Sequence, residues 1–216
     1  MKNPRELGMI EPIPGLRWYP GYLDADAQAS FVEAIRDVVR SAQLFTPVMP
    51  KTARPFSVRM TNCGPLGWVS DRDGYRYQPN HPQTGKPWPE MPGAFLDLWR
   101  DVSGHDQAPQ ACLVNYYEPQ ARMGLHVDRD EKDFDAPVVS VSLGDTCVFR
   151  HGGTGRKDPT RSFRLQSGDV LVLGGPARLI HHGVDRILPG TSTLLPSPGR
   201  INLTLRRVDP PDGNVV

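Results

Sequence analysis

The sequence predicts a mostly β chain with flanking helices, built as a sandwich or jelly roll, and two observations carry that expectation. Beyond Gln107, eight short strand-like runs follow one another, broken by Gly, Pro, Asp and Asn turn signals. Ahead of them stand two segments of helical periodicity that do not alternate with the strands, which argues against βαβ winding. The 216 residues suit one domain with a full core, and no repeat recurs at a solenoid period.

Residues 1–23 are rich in Pro and Gly and read as an irregular arm ending in Trp18-Tyr19-Pro20-Gly21-Tyr22. Phe31, Val32, Ile35, Val38 and Val39 then recur at i, i+1, i+4, i+7 and i+8, predicting an amphipathic helix from Asp24 or Asp26 to Ser41. An Asp at that start can cap it, and Arg36 and Arg40 suit its C-terminal half. Residues 43–90 are polar and rich in Pro and Gly, with a short strand-like piece at Phe56–Met60 and exposed-looking aromatics at Trp68, Tyr75, Tyr77 and Trp88. Long stretches with little core pattern are functional or disordered, and the aromatics favour function. Interleaved with Arg54, Arg59, Arg72, Arg76 and Lys86, they suit base stacking and phosphate contact. A surface loop with its own aromatic cluster is the plainer alternative. Pro92 opens a second helix with Phe95, Leu98, Trp99 and Val102 on one face and Gly104 as its stop. The predicted strands are Ala111–Tyr117, Met123–Val127, Val138–Leu143, Cys147–His151, Ser162–Leu165, Val170–Leu173, Ile180–Val184 and Ile201–Arg206.

Composition narrows the function classes. Mean hydropathy is −0.44, and no apolar run approaches the roughly 18 residues that a membrane helix needs. The start Met1-Lys2-Asn3-Pro4-Arg5-Glu6 has no apolar stretch of the secretory kind, so a cytoplasmic protein is expected. Cys63, Cys112 and Cys147 are odd in number and widely spaced, suggesting neither a disulfide framework nor a thiolate zinc site but small buried apolar residues. A net charge of +1 means that any nucleic-acid partner would be gripped locally.

The chemistry centres on His126-Val127-Asp128. In an extended strand, residues i and i+2 share a face, so an imidazole and a carboxylate converge there. With a distant third ligand, such a pair makes the facial triad that holds Fe(II) and leaves positions open for a co-substrate and oxygen. His181, His182 and His151 are the candidates for the third ligand; only one of the adjacent pair can face the first two, and periodicity does not choose between them. Arg200-Ile201-Asn202-Leu203-Thr204-Leu205-Arg206 alternates polar with apolar residues. With the polar face inside, two arginines and an amide would line a cavity and demand carboxylates, as a dicarboxylate such as 2-oxoglutarate would supply. With that face in solvent, Leu203 would be the core residue, and the strand alone leaves both orientations open.

The series Asn115-Tyr116-Tyr117, His126-Val127-Asp128-Arg129-Asp130-Glu131, Val139-Ser140-Val141-Ser142-Leu143-Gly144, His182-Gly183 and Arg200 to Arg206 closely resembles the AlkB family, the Fe(II)/2-oxoglutarate dioxygenases that repair alkylated nucleobases. The likeness runs upstream through Met60-Thr61-Asn62-Cys63-Gly64, Gly67-Trp68, Gly74-Tyr75 and Pro82 to Pro89. The resemblance implies a double-stranded β-helix (jelly roll) core with N-terminal helices. It implies one dioxygenase domain over 1–216, divided into an N-terminal arm and helix (about 1–43), a nucleotide-recognition lid (about 44–89) and the catalytic core (about 90–216). It implies iron ligands at His126, Asp128 and His182, and 2-oxoglutarate contacts at Asn115, Tyr117, Arg200, Asn202 and Arg206. Arg206 would take the carboxylate distal to the metal, and Arg200 would lie beside the chelating end. Trp68 would stack on a flipped base against His126; Met60 and Tyr75 would touch base and phosphate; Asp130 and Glu131 would flank the base edge, and Arg156 the substrate groove. With O2, such an enzyme demethylates 1-methyladenine and 3-methylcytosine in single-stranded or locally opened DNA, with RNA a further substrate, and a monomer is the default. The sequence departs from the family pattern at Leu173 and His181, close to the expected iron centre.

Two other classes compete. One keeps iron and 2-oxoglutarate but hydroxylates a protein side chain or a small metabolite. The other is a silent jelly-roll binding module in which His-x-Asp is structural, and the presence of every metal and co-substrate position counts against it.

Overall fold

The computed structural model describes residues 8–211; the opening residues Met1 to Glu6, read above for a signal segment, lie outside them. The strands are β1 (Ile10–Ile13), β2 (Leu16–Tyr19), β3 (Val58–Cys63), β4 (Gly67–Asp71), β5 (Gly74–Gln78), β6 (Ala111–Tyr117), β7 (Met123–His126), β8 (Val138–Gly144), β9 (Thr146–His151), β10 (Arg161–Leu165), β11 (Val170–Leu173), β12 (His182–Leu188) and β13 (Arg200–Arg206). The helices are α1 (Ala25–Ser41) and α2 (Gly93–Val102). All eight strands expected beyond Gln107 are present, with shifts of a few residues at their ends.

A seven-stranded sheet runs β1-β2-β11-β8-β13-β6-β3, a four-stranded sheet runs β10-β9-β12-β7, and β4-β5 form a separate hairpin. The strand pairs are antiparallel, giving the jelly roll that the turn-punctuated pattern implied. Alternation sorts the large sheet into two cores. Val170 and Val172 pack with Ile201, Leu203 and Leu205 against Phe31, Ile35, Phe95 and Trp99 of the helices. Leu171 and Leu173 point the other way and meet Phe149, Val184 and Ile187 of the small sheet. Of the two orientations weighed for β13 the polar-inside one holds, and the polar face is not in solvent: Arg200, Asn202, Thr204 and Arg206 are buried between the sheets, while Leu203 is buried as well, under the helices.

Asp24 is the cap of α1, its carboxylate accepting from Ala27 N at 3.0 Å, and Phe31, Val32, Ile35 and Val38 form the buried face. Helix α2 follows Pro92 without a side-chain cap; burial of Phe95, Leu98, Trp99 and Val102 holds it in place. The three cysteines are free and buried, as expected. Among the described residues no helix is long and apolar enough to cross a membrane.

Two readings are corrected. The N-terminal arm is not irregular: β2 pairs with β11 in full register and carries β1 on its outer edge. Leu-Arg-Trp-Tyr is too short a run between Pro and Gly to register as a strand, and pairing with an apolar neighbour overrides local propensity. In the stretch 43–90 the strand-like piece at Phe56–Met60 is present as β3, which joins the large sheet beside β6, but Trp88, read as exposed, is 6% exposed and packed on Phe45 and His81.

Asp169 anchors the N-terminal strand. Its carboxylate accepts from Trp18 Nε1 at 3.1 Å, Gly21 N at 2.8 Å and Gln166 N at 2.9 Å. Asp169→Ala leaves three donors without their acceptor and should lower the unfolding free energy by about 3 kcal/mol, read by urea denaturation; an unchanged midpoint would show that β2 is held by its backbone alone.

Candidate active site

His126 and His182 stand directly opposite each other across β7 and β12, which brings their ring centroids to 4.5 Å. The close approach depends on Gly183, where any Cβ would lie 2.5 Å from Met123 O. Asp128 completes the cluster, with carboxylate oxygens 3.7 Å from His126 Nε2 and 3.8 Å from His182 Nε2. One ligand atom from each of the three lies within 4.8 Å of the others. His126 Nδ1 donates to Gly124 O at 2.9 Å, and His182 Nδ1 to Ile180 O at 3.2 Å. Because a carbonyl only accepts, these bonds place the proton on Nδ1 and leave each Nε2 lone pair free for a metal. His181 and His151 lie outside this group; His181 lines the cavity rim and approaches Gly153 O.

The His-x-Asp pair does not converge by strand alternation alone. Strand β7 ends at His126, and Asp128 lies in the loop that follows. Arg178, which sequence reasoning missed, holds that loop: it donates to Asp128 O at 2.7 Å, Ala136 O at 2.9 Å and Glu131 Oε2 at 3.0 Å. Arg206 Nη2 donates to Asp128 Oδ2 at 2.9 Å, fixing the rotation of the carboxylate. Burial alone would raise the Asp128 carboxyl, but Arg206, His182, His126 and Arg178 outweigh it and hold the group well below the usual carboxylate range. Burial, reinforced by the neighbouring His126, pushes His182 down to about 4. The cluster thus offers one carboxylate and a neutral imidazole at neutral pH, the donor set that suits Fe(II).

The polar face of β13 continues from this cluster along a cavity of about 1010 Å³. Arg200 is 1% exposed; its Nη2 donates to Ser142 Oγ at 2.9 Å and its guanidinium lies 5.2 Å from the Tyr117 ring. Its Nε and Nη1 have no partner, and neither does Asn115 Oδ1. A buried guanidinium with two open donors and no carboxylate calls for an anionic ligand. Asn202 is committed instead, with Nδ2 donating to Ser140 Oγ and Val141 O and Oδ1 accepting from Thr204. The order of the arginines reverses the expectation: Arg206 sits at the metal end, bound to Asp128, and Arg200 at the far end of β13. The direction of β13 relative to the His-x-Asp loop is a property of the sheet pairing, which the motif does not contain.

Met60, Trp68, Tyr75, Asp130, Glu131 and Arg156 all line the same cavity. Trp68 Nε1 donates to Asp130 Oδ2 at 2.8 Å, and the indole stacks on Tyr75 at 5.6 Å. Its backbone is clamped by the Asn62 amide, which accepts from Trp68 N and donates to Trp68 O, both at 3.0 Å. Glu131 lines the cavity but has turned inward: it pairs with Arg178, accepts the Tyr77 hydroxyl and lies 3.5 Å from Arg206 Nε. This departs from its expected place at a base edge, since buried cations claim it. Tyr77, read as an exposed aromatic, likewise directs its hydroxyl into this network and accepts from Arg206 at 3.2 Å.

In the folded, metal-free protein His182 gains a proton only near pH 4, whereas in the unfolded chain it does so near 6.5. Between these values the unfolded state binds the extra proton, so stability is lost as pH falls. Thermal unfolding followed from pH 7 to 4 should show a decline of roughly 3 kcal/mol at most from this group, flattened in His182→Ala; an equal decline in that variant would assign the loss to other groups.

The comparisons agree with this geometry. The family model described as 2OG-Fe(II) oxygenase superfamily matches residues 15–206. The chain is 57% identical over 195 residues to the Alpha-ketoglutarate-dependent dioxygenase AlkB homolog of Caulobacter vibrioides, covering 90% of this chain and 88% of that one. It is 44% identical over 181 residues to the Alpha-ketoglutarate-dependent dioxygenase AlkB of Escherichia coli, covering 81% and 83%. The solved structure of OsALKBH1 superposes with a TM-score of 0.78 at 30% identity, covering 92% of this chain and 99% of that one. A jelly roll that gathers two histidines, an aspartate and an unsatisfied arginine in one cavity therefore has its place: the chain belongs to the AlkB family of the 2OG-Fe(II) oxygenase superfamily and is an Fe(II)/2-oxoglutarate-dependent dioxygenase.

Proposed function

We propose that this dioxygenase removes N-alkyl groups of the 1-methyladenine and 3-methylcytosine type from nucleobases in DNA, with RNA a second substrate, returning formaldehyde, succinate and CO2 in direct-reversal repair. The observation that carries the reading is Trp68, an indole oriented by Asp130 and backed by Tyr75 in the cavity that also holds His126. A flat aromatic platform beside a metal cluster fits a flipped base. An alkylated base of this type is cationic, so the indole face and the Asp130 carboxylate both favour it over the neutral parent. Such lesions also pair poorly, which lowers the cost of flipping.

Fe(II), with 2-oxoglutarate and O2, supplies the oxidation that turns the N-methyl carbon into a hydroxymethyl group, which leaves as formaldehyde. His126, Asp128 and His182 would hold the metal. Arg200 of β13 and Tyr117 of β6, with Asn115 on the same strand as Tyr117, would receive a carboxylate of 2-oxoglutarate. Arg206 keeps Asp128 ionised and aimed, and Asn202 braces the wall through Ser140. Met60, Trp68 and Tyr75 form the base platform, Asp130 orients it, Glu131 supports Arg206, and Arg156 stands at the groove. On this reading residues 1–216 are one domain, and 44–89 act as its lid while lending β3 to the core. The protein works as a cytoplasmic monomer on single-stranded or locally opened nucleic acid, in keeping with its net charge of +1.

Protein supplied with Fe(II), 2-oxoglutarate and O2 should release formaldehyde from a 3-methylcytosine oligonucleotide and restore cytosine by mass. His126→Ala and Asp128→Ala should abolish both signals; turnover of peptides or metabolites without turnover of the oligonucleotide would favour the side-chain hydroxylase instead. Arg200→Met should raise the 2-oxoglutarate concentration for half-maximal rate by about a hundredfold, corresponding to about 3 kcal/mol for an anion left unpaired, and a value equal to that of the parent would place the co-substrate elsewhere.

A further inference from the structure

The outward face of the small sheet carries a charge asymmetry that the metal site does not use. Cys147, Phe149, Leu165, Val184 and Ile187 take its inward positions, which turns Arg150 of β9, Arg164 of β10 and Arg186 of β12 to the outside. Arg164 and Arg186 both stand opposite Val148, one on each side of it, and Arg150 is the next outward residue along β9. The loop from β9 into β10 adds exposed Arg156 and Lys157.

Among the described residues, β9, β10, β12 and the loop between β9 and β10 carry two carboxylates, Asp158 and Asp185. Asp185, at the irregularity in the β12–β9 register, pairs with Arg150 at 2.9 Å and lies 3.4 Å from Arg186. Asp158 is turned into its own loop, accepting from Gly155 N at 2.9 Å. Among the described residues Arg156, Lys157 and Arg164 have no carboxylate partner. Five cations thus face two acids in a chain whose net charge is +1. The face is continuous with the site, because Arg150 and Arg156 also line the cavity.

We propose that the outer face of β10, β9 and β12 binds the phosphodiester backbone of the strand that flanks the nucleotide held in the cavity. The proposal rests on the nucleic-acid reading of the site and extends it to a track outside. Guanidinium forks match phosphate oxygens in pairs. Two strand spacings put Arg164 and Arg186 about 10 Å apart, roughly three nucleotide rises along one strand. A polyanion held there would depend on salt, whereas a short substrate confined to the cavity would not reach it.

The double variant Arg164→Gln, Arg186→Gln tests this with a 3-methylcytosine trinucleotide and a single strand of about fifteen nucleotides carrying the same lesion. Trinucleotide turnover should match that of the parent, which also reports intact folding. For the longer strand, affinity at low salt should fall about tenfold, and the slope of log affinity against log salt should flatten by about 1.4 for two lost contacts. An unchanged slope overturns the proposal, and so does an equal loss for both oligonucleotides, which would mean a general effect on the site. If the parent demethylates neither oligonucleotide, the nucleic-acid reading of the site fails, while the binding slopes still decide the face.

Discussion

Arg206 is the point at which sandwich and metal site become one object. Its guanidinium reaches Asp128, Glu131 and the Tyr77 hydroxyl, and Arg178 closes the network from the other side through Glu131 and the Asp128 carbonyl. All four charged groups are buried. Taking such groups from water is costly, and losing one partner of a buried pair costs about 3–5 kcal/mol, so the network holds only as a set. What it holds is the loop after β7, which has no ladder of its own at Asp128. The Asp128 carboxylate is therefore as well placed as the charges behind it.

Much of this was legible in the sequence, for identifiable reasons. The β-rich half announces itself through turn residues between apolar runs, and both helices through a 3.6-residue period that survives because one face of each is buried. The triad residues stand in recognisable motifs. What could not be read depends on pairing. The polar face of β13 becomes interior only because helices cover its apolar face, so a pattern that offers two orientations conceals a strand buried on both sides. The arginine order follows from strand direction, and β2 exists because β11 is beside it. Arg178, in Gly-Gly-Pro-Ala-Arg, carries no local signal of the ion network that it completes.

The interior also explains its own ligand preference. Among the described residues Arg178 and Arg206 pair with Asp128 and Glu131, and Arg200 has no carboxylate partner. On the proposed reading, a dicarboxylate co-substrate would answer both ends of the cavity, with one carboxylate for Arg200 and the other for the metal cluster. A monocarboxylate of similar length would leave one of them open. Recognition of the co-substrate would then be a matter of the spacing between Arg200 and the cluster.

His126 is 40% exposed at its side chain, while its partners Asp128 and His182 are at 8% and 11%. The cluster is thus closed off at Asp128 and His182 and open to solvent at the His126 imidazole. A planar group laid against that ring would supply the missing wall. Water would leave the cluster only as such a group arrived, which would make the occupant part of the enclosure.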